Sequence, residues 1–194
     1  LRLCATDGFT LAESSIPCEE GAAPSATATI PPKALLELSD ATDAVEISVS
    51  SKHFIAQTRD YTLFSRLMST AWEIDVDKII PKDTASVKTD FKALISALER
   101  VQILASTETQ PVKMSLSRDA IELSVRTTIG SATDSVTGET DSDLVIGINA
   151  RYLVGVLKAA ETDSFLVSSP VSPLVFKDDS STYILLPVRL REKI

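Results

Sequence analysis

The 194-residue sequence has one histidine, two cysteines and only six glycines, and each scarcity excludes something. His53 stands on a strand-like segment with no cysteine or second histidine near it in the sequence. It reads as a surface residue rather than a base or a metal ligand. Cys4 and Cys18 lack zinc-ligand spacing and are too few for a disulfide scaffold, which fits a reducing cytosol. No Gly-rich phosphate loop is present. Aromatics are sparse, and no apolar run is long enough to cross a bilayer or to serve as a signal peptide. Asp75 and Asp77, or Glu139, Asp141 and Asp143, lack the glycine and terminal glutamate of a calcium loop, so they read as solvated loops. No catalytic constellation and no cofactor or metal site emerge; binding is favoured over catalysis.

Basic residues are also outnumbered, 19 against 27 acidic ones, for a formal net charge of −8. Tight nonspecific binding to duplex DNA needs clustered lysine and arginine. The balance argues against it unless the few cations are segregated onto one surface.

What the sequence does have is a repeat. Residues 145–148 are apolar and β-prone, and Asn149 stands where a helix N-cap belongs. Behind it Leu153, Val156, Leu157 and Ala160 mark one helical face, with Arg151, Gly155 and Lys158 on the other. The same pattern surrounds Leu35 and Leu94, so Leu35, Leu94 and Leu153 follow at intervals of 59 residues. Pro31, Asp90 and Asn149 hold the cap position, and Lys33, Lys92 and Arg151 hold one basic phase. A fixed period of this length marks a repeated supersecondary unit.

In chain order, two strands meet at Asp7-Gly8, a turn pair in which glycine accepts positive φ. A polar connection leads to a strand over 27–30 and a helix over about 32–40. Alternating strands follow around Val45 to Val49, Phe54 and Ala56, and Tyr61 to Arg66. Pro81 lies in a junction at 79–83. The second half repeats the scheme, with a helix over 91–104, strands over 112–116, 121–125 and 131–137, and a turn at Gly138-Glu139. The 145–160 unit and strands over 165–168, 174–177 and 183–190 complete it. The last strand is apolar on both faces. Tyr183 and Leu185 can serve the core, which leaves Ile184, Leu186 and Val188 uncovered as the floor of a binding groove. Because Leu1 falls inside a strand pattern, the chain is expected to be a fragment.

Five segments carry a family resemblance: residues 5–12 (Ala-Thr-Asp-Gly-Phe-Thr-Leu-Ala), 79–82 (Ile-Ile-Pro-Lys), 146–153, 169–174 and 186–190. In this order and spacing the sequence resembles the bacterial sliding clamp, the β subunit of DNA polymerase III. The resemblance implies an α+β fold, the DNA clamp, of repeated βαβββ units with antiparallel sheets outside and helices on the inner face. It implies a partial middle domain at 1–82 and a C-terminal domain at 83–194. The function implied is that of a processivity factor without enzymatic activity. It would encircle duplex DNA topologically, without sequence readout, and tether polymerase subunits and the clamp loader through short linear motifs. A homodimeric ring in the full-length protein and a cytoplasmic, nucleoid-associated location, away from membranes, belong to the same expectation.

By matching position, the family's peptide pocket falls on Thr6, Gly8, Phe9, Thr10, Leu11, Ile79, Asn149, Tyr152, Val171, Ile184, Leu186, Pro187, Val188, Arg189 and Leu190. The DNA-facing residues would be Lys33, Lys92, Arg100, Arg151 and Lys158, and the ring contact Ile103 and Leu104. Several positions depart from the pattern. Phe9 and Thr10 replace a usual His or Tyr and then Arg, and Trp72 to Asp75 replaces a Phe-Pro-Asp. Thr109 stands where an aromatic residue occurs, and the chain continues past the usual end with residues 191–194. Two other readings stay open. One is a clamp-like peptide-binding module that does not encircle DNA; the other is an unrelated enzyme using the acidic loops.

Overall fold

The computed structural model describes residues 1–18, 27–105 and 110–190. The expectations for Thr109 and for residues 191–194 therefore lie outside the described residues. The chain forms two compact units, one of Leu1–Pro17 with Val76–Ile194 and one of Cys18–Asp75.

The chain opens on a hairpin of β1 (Arg2–Thr6) and β2 (Thr10–Ser15). Gly8 has φ +89° at its turn, a conformation open to glycine because it has no Cβ. The Asp7 carboxylate accepts from the amides of Phe9 at 2.8 Å and Thr10 at 2.7 Å, which closes the turn from within.

The smaller unit contains α1 (Pro32–Leu36) and a three-stranded antiparallel sheet, β3 (Glu46–Val49), β4 (His53–Gln57) and β5 (Thr62–Arg66). Phe54 and Ala56 are buried as the alternation predicts. Two expectations fail. The strand over 27–30 does not form, and the helix stops at Leu36 instead of running to about residue 40. Pro31 occupies the cap without a side-chain acceptor, and Ala34 is the helix's only buried residue. Helices draw most of their stability from a packed face, so this one unwinds into turns.

The larger unit continues with α2 (Val76–Ile79) and then two successive βαβββ units. The first is β6 (Ala85–Thr89), α3 (Phe91–Gln102), β7 (Val112–Ser117), β8 (Ala120–Arg126) and β9 (Ser131–Glu139). The second is β10 (Leu144–Ile148), α4 (Ala150–Ala159), β11 (Ser164–Val167), β12 (Leu174–Lys177) and β13 (Ser181–Leu185). Asp90 and Asn149 cap α3 and α4, each accepting the amide two residues on. The halves exchange strands: β6 pairs with β11, and β10 pairs with β7. Together with the opening hairpin they make one sheet in the order β1-β2-β13-β12-β11-β6-β9-β8-β7-β10.

The core lies between this sheet and the two helices. Leu94, Leu98 and Val101 of α3 and Leu153, Val156 and Leu157 of α4 bury against Met114, Ile121, Leu123, Ile146, Phe165 and Phe176. Burying such a side chain stabilises the fold by about 1.5–3 kcal/mol. Phe176 stacks on Phe165 at 5.2 Å and meets the edge of Phe91 at 6.1 Å.

Two further expectations need correction. Gly138 lies within β9 rather than at a turn, where a Cβ would come within 2.8 Å of the Ile121 side chain. The turn follows it, where the Thr140 hydroxyl accepts the Ser142 amide. The helix over 91–104 ends at Gln102.

Candidate functional site

The last expected strand divides. β13 ends at Leu185, because Pro187 has no N–H to continue a ladder. Leu186 still donates to the Phe9 carbonyl at 2.9 Å, one step beyond the Leu185–Thr10 pair, whereas Val188 turns away and donates to the Gly147 carbonyl at 2.8 Å. Residues 186–190 thus bridge the opening hairpin and β10, which is the far edge strand of the same sheet. Gly147 permits the crossing. A Cβ there would stand 2.1 Å from the Val188 carbonyl and 3.0 Å from the Leu190 side chain. An isolated glycine inside an apolar strand, as at Gly147, is the sequence signal of such close backbone approach.

Next to this bridge the Phe9 ring stacks on Tyr152 of α4, centroids 5.3 Å apart and planes 17° apart. Phe9 remains 54% exposed and Leu186 42% exposed. Asn149 turns Tyr152 into place by accepting the amides of Arg151 at 3.0 Å and Tyr152 at 3.5 Å. On the hairpin side, the Thr6 hydroxyl donates to the Thr10 carbonyl and accepts the Gly8 amide. The polar atoms of Thr6, Asp7 and Thr10 are therefore engaged in holding the turn that carries Phe9. Burial pushes the Asp7 carboxyl up, but hydrogen bonds from Thr10 and Phe9 outweigh it and hold the group below the ordinary carboxylate value.

Strand parity assigned the faces of β13 correctly, but it left Ile184 uncovered and the structure does not. Ile184 does point opposite to Tyr183 and Leu185, in register with Leu11 and Val175. Yet it is 1% exposed, and Leu11, Val76 and Val175 are buried too, outside the main core cluster. Parity assigns the face of a strand, not what covers it, so Ile184 is a packed residue and not an open floor. Leu186 is exposed, and Pro187 and Val188 are half-buried. Arg189 and Leu190 are exposed, as is Val171 in the turn before β12. Ile79 is half-buried on α2.

Among the cations, Lys92 and Arg100 on α3 and Arg151 and Lys158 on α4 are exposed, and Lys33 is exposed on α1 in the other unit. Arg100 and Lys158 have carboxylate partners that the helical phase did not reveal. Arg100 Nε lies 2.6 Å from Asp134 Oδ2, and Lys158 Nζ lies 3.0 Å from Glu99 Oε1. The hydrogen bond from Arg100 holds the Asp134 carboxyl below its usual value. Of the expected apolar pair, Ile103 is 76% exposed, whereas Leu104 is half-buried against the core. Leu104 is thus corrected from a free contact residue to a packed one. Among the described residues no cluster of three His, Cys, Asp or Glu side chains could hold a metal ion. No helix among them is long and apolar enough to cross a membrane.

Residues 77–189 match the family model described as DNA polymerase III beta subunit, C-terminal domain, and residues 1–72 match the central domain of that subunit. A beta sliding clamp of Caulobacter vibrioides is 30% identical over 202 residues, covering 98% of this chain and 54% of the relative. The solved sliding clamp of Bartonella birtlesii bound to griselimycin is 28% identical with a TM-score of 0.87, covering 97% of this chain and 54% of that one. A Pseudomonas aeruginosa sliding clamp solved with a ligand is 27% identical, with a TM-score of 0.85 and coverage of 97% and 55%. The chain spans about half the length of the curated relatives it matches.

Proposed function

The chain belongs to the family of DNA polymerase III beta subunits, the bacterial sliding clamps, and we propose that it is part of a processivity factor. The whole protein would encircle duplex DNA and tether polymerase subunits and the clamp loader through short linear peptides. It would do no covalent chemistry of its own. The domain division at residues 82 and 83, the homodimeric ring and its contact at Ile103 belong to the same proposal, as does a cytoplasmic location.

The observation that carries the reading is the bridge of residues 186–190. Its backbone is pinned at Phe9 and Gly147, and it leaves Leu186 exposed beside a Phe9–Tyr152 stack. A preformed apolar surface with fixed edges suits a Leu or Phe anchor, because little ordering cost remains at binding. Each buried anchor contributes about 1.5–3 kcal/mol, which supports micromolar binding by a short peptide. The test is a titration of a Gln-Leu-x-Leu-Phe type peptide against wild type and Leu186→Asp. Loss of binding by a variant with wild-type melting is expected; equal affinity for both forms would sink the site.

One observation favours the module that binds peptides without encircling DNA. Arg100 and Lys158 are held by carboxylates, so the helical face offers fewer cations to phosphates than its sequence suggests.

A further inference from the structure

Glu99 and Lys158 are separated by 59 residues, the period of the repeat itself, and their side chains meet at 3.0 Å. Equivalent positions of a duplicated unit touch only where the local two-fold relating the halves passes between them. Helices α3 and α4 pack together there. At such a position a repeated residue faces its own copy, and two lysines or two glutamates would repel across the helix pair. This chain has one of each. The pair lies on the surface that also carries Lys92 and Arg151, and Arg100 on the same helix is matched by Asp134.

We propose that Glu99 is a built-in counter-charge that sets how strongly this helical face holds duplex DNA. It competes with phosphate for Lys158 and withdraws that cation from DNA contact. The proposal rests on the clamp reading of α3 and α4. An exposed ion pair adds little to folding stability, so its effect should appear in DNA retention rather than in melting. For a protein that must move along a duplex, weaker cation–phosphate contact means less hindrance to sliding. Each phosphate contact steepens the dependence of log K on log salt by about 0.9, which makes the withdrawal of a single cation measurable.

The experiment uses the 194-residue chain and a fluorescein-labelled linear duplex, with anisotropy followed over a salt series starting at low ionic strength. Glu99→Gln should bind several-fold tighter at low salt, with a slope steeper by about 0.9 and wild-type melting. The swapped pair Glu99→Lys with Lys158→Glu should return to the wild-type slope, since pairing and net charge are restored. Glu122→Gln adds the same charge on the other face of the sheet, away from the buried Ile121 and Leu123. It should leave affinity and slope unchanged. Wild-type affinity and slope in Glu99→Gln, while Lys92→Glu weakens binding, would overturn the counter-charge and leave the DNA-facing assignment standing. An equal gain from Glu122→Gln, or a swapped pair that behaves like Glu99→Gln, would also overturn it, because net charge alone would then suffice. If Lys92→Glu binds like wild type, or no form binds at the lowest salt, the DNA-facing reading fails and the counter-charge fails with it.

Discussion

At the residue scale, the site depends on side chains that do opposite jobs a few positions apart. Leu186 is exposed and Ile184 is packed, so the same kind of change should have different readouts. Ile184→Ala leaves a cavity and should cost about 2–5 kcal/mol in urea or thermal unfolding. Leu186→Asp should leave unfolding nearly unchanged while removing peptide binding, since its carboxylate faces water until an apolar anchor arrives. Gly147→Ala tests the bridge. Its methyl collides with the Val188 carbonyl, which is backbone and cannot swing aside. The variant should lose about 1–3 kcal/mol and weaken peptide binding together, as measured by calorimetric titration and melting of the same preparation.

At the element scale, the starts of the three helices in the 59-residue repeat, α1, α3 and α4, form a natural series. Asp90 and Asn149 cap helices of 12 and 10 residues, whereas Pro31 caps nothing and its helix has 5. Asn149→Ala should cost about 1 kcal/mol of stability. Because the same carboxamide orients the first turn carrying Tyr152, peptide affinity should fall as well. Asp90→Ala should cost a similar amount and leave the peptide titration alone, a contrast that separates a cap serving the site from one serving the fold. The two caps also show how much the 59-residue period revealed. It placed β6 and β10, their caps and the buried faces of α3 and α4, because cap chemistry and 3.6-residue periodicity are local. It misjudged the helix of the smaller unit, where the periodic leucines are present but Leu35 and Leu36 find no core to enter.

At the scale of the whole molecule, acid stability follows from three carboxylates held below their usual range. Burial pushes up Asp7 and Asp178, but amide hydrogen bonds outweigh it, and Asp134 is lowered first by its hydrogen bond from Arg100. A carboxyl depressed in the folded state contributes stability that is present above its unfolded value. That stability is lost as pH falls through the folded one. Melting temperatures measured from about pH 7 down to about pH 2.5 should therefore fall chiefly below the ordinary carboxylate value. In the Asp7→Asn, Asp134→Asn, Asp178→Asn variant the drop should be shallower. An identical profile would show that these groups titrate alike in both states.

The sequence by itself determined the repeat, the two strand–cap–helix units of the larger unit, the Asp-Gly turn and the side of β13 on which Ile184 lies. Each of these is set by spacing, propensity or backbone chemistry within a few residues. The family likeness added the list of pocket positions. Only the tertiary structure decided which of those positions are open. Ile184 is packed on a face it shares with Leu11 and Val175, Leu104 is packed against the core, and Leu186 is left exposed where β13 ends before Pro187. The same holds for charge: helical phase put Arg100 and Lys158 on an exposed face. Asp134 and Glu99, the carboxylates that neutralise them, arrive from 34 and 59 residues away. A local pattern records which way a side chain points, and folding decides what it meets there.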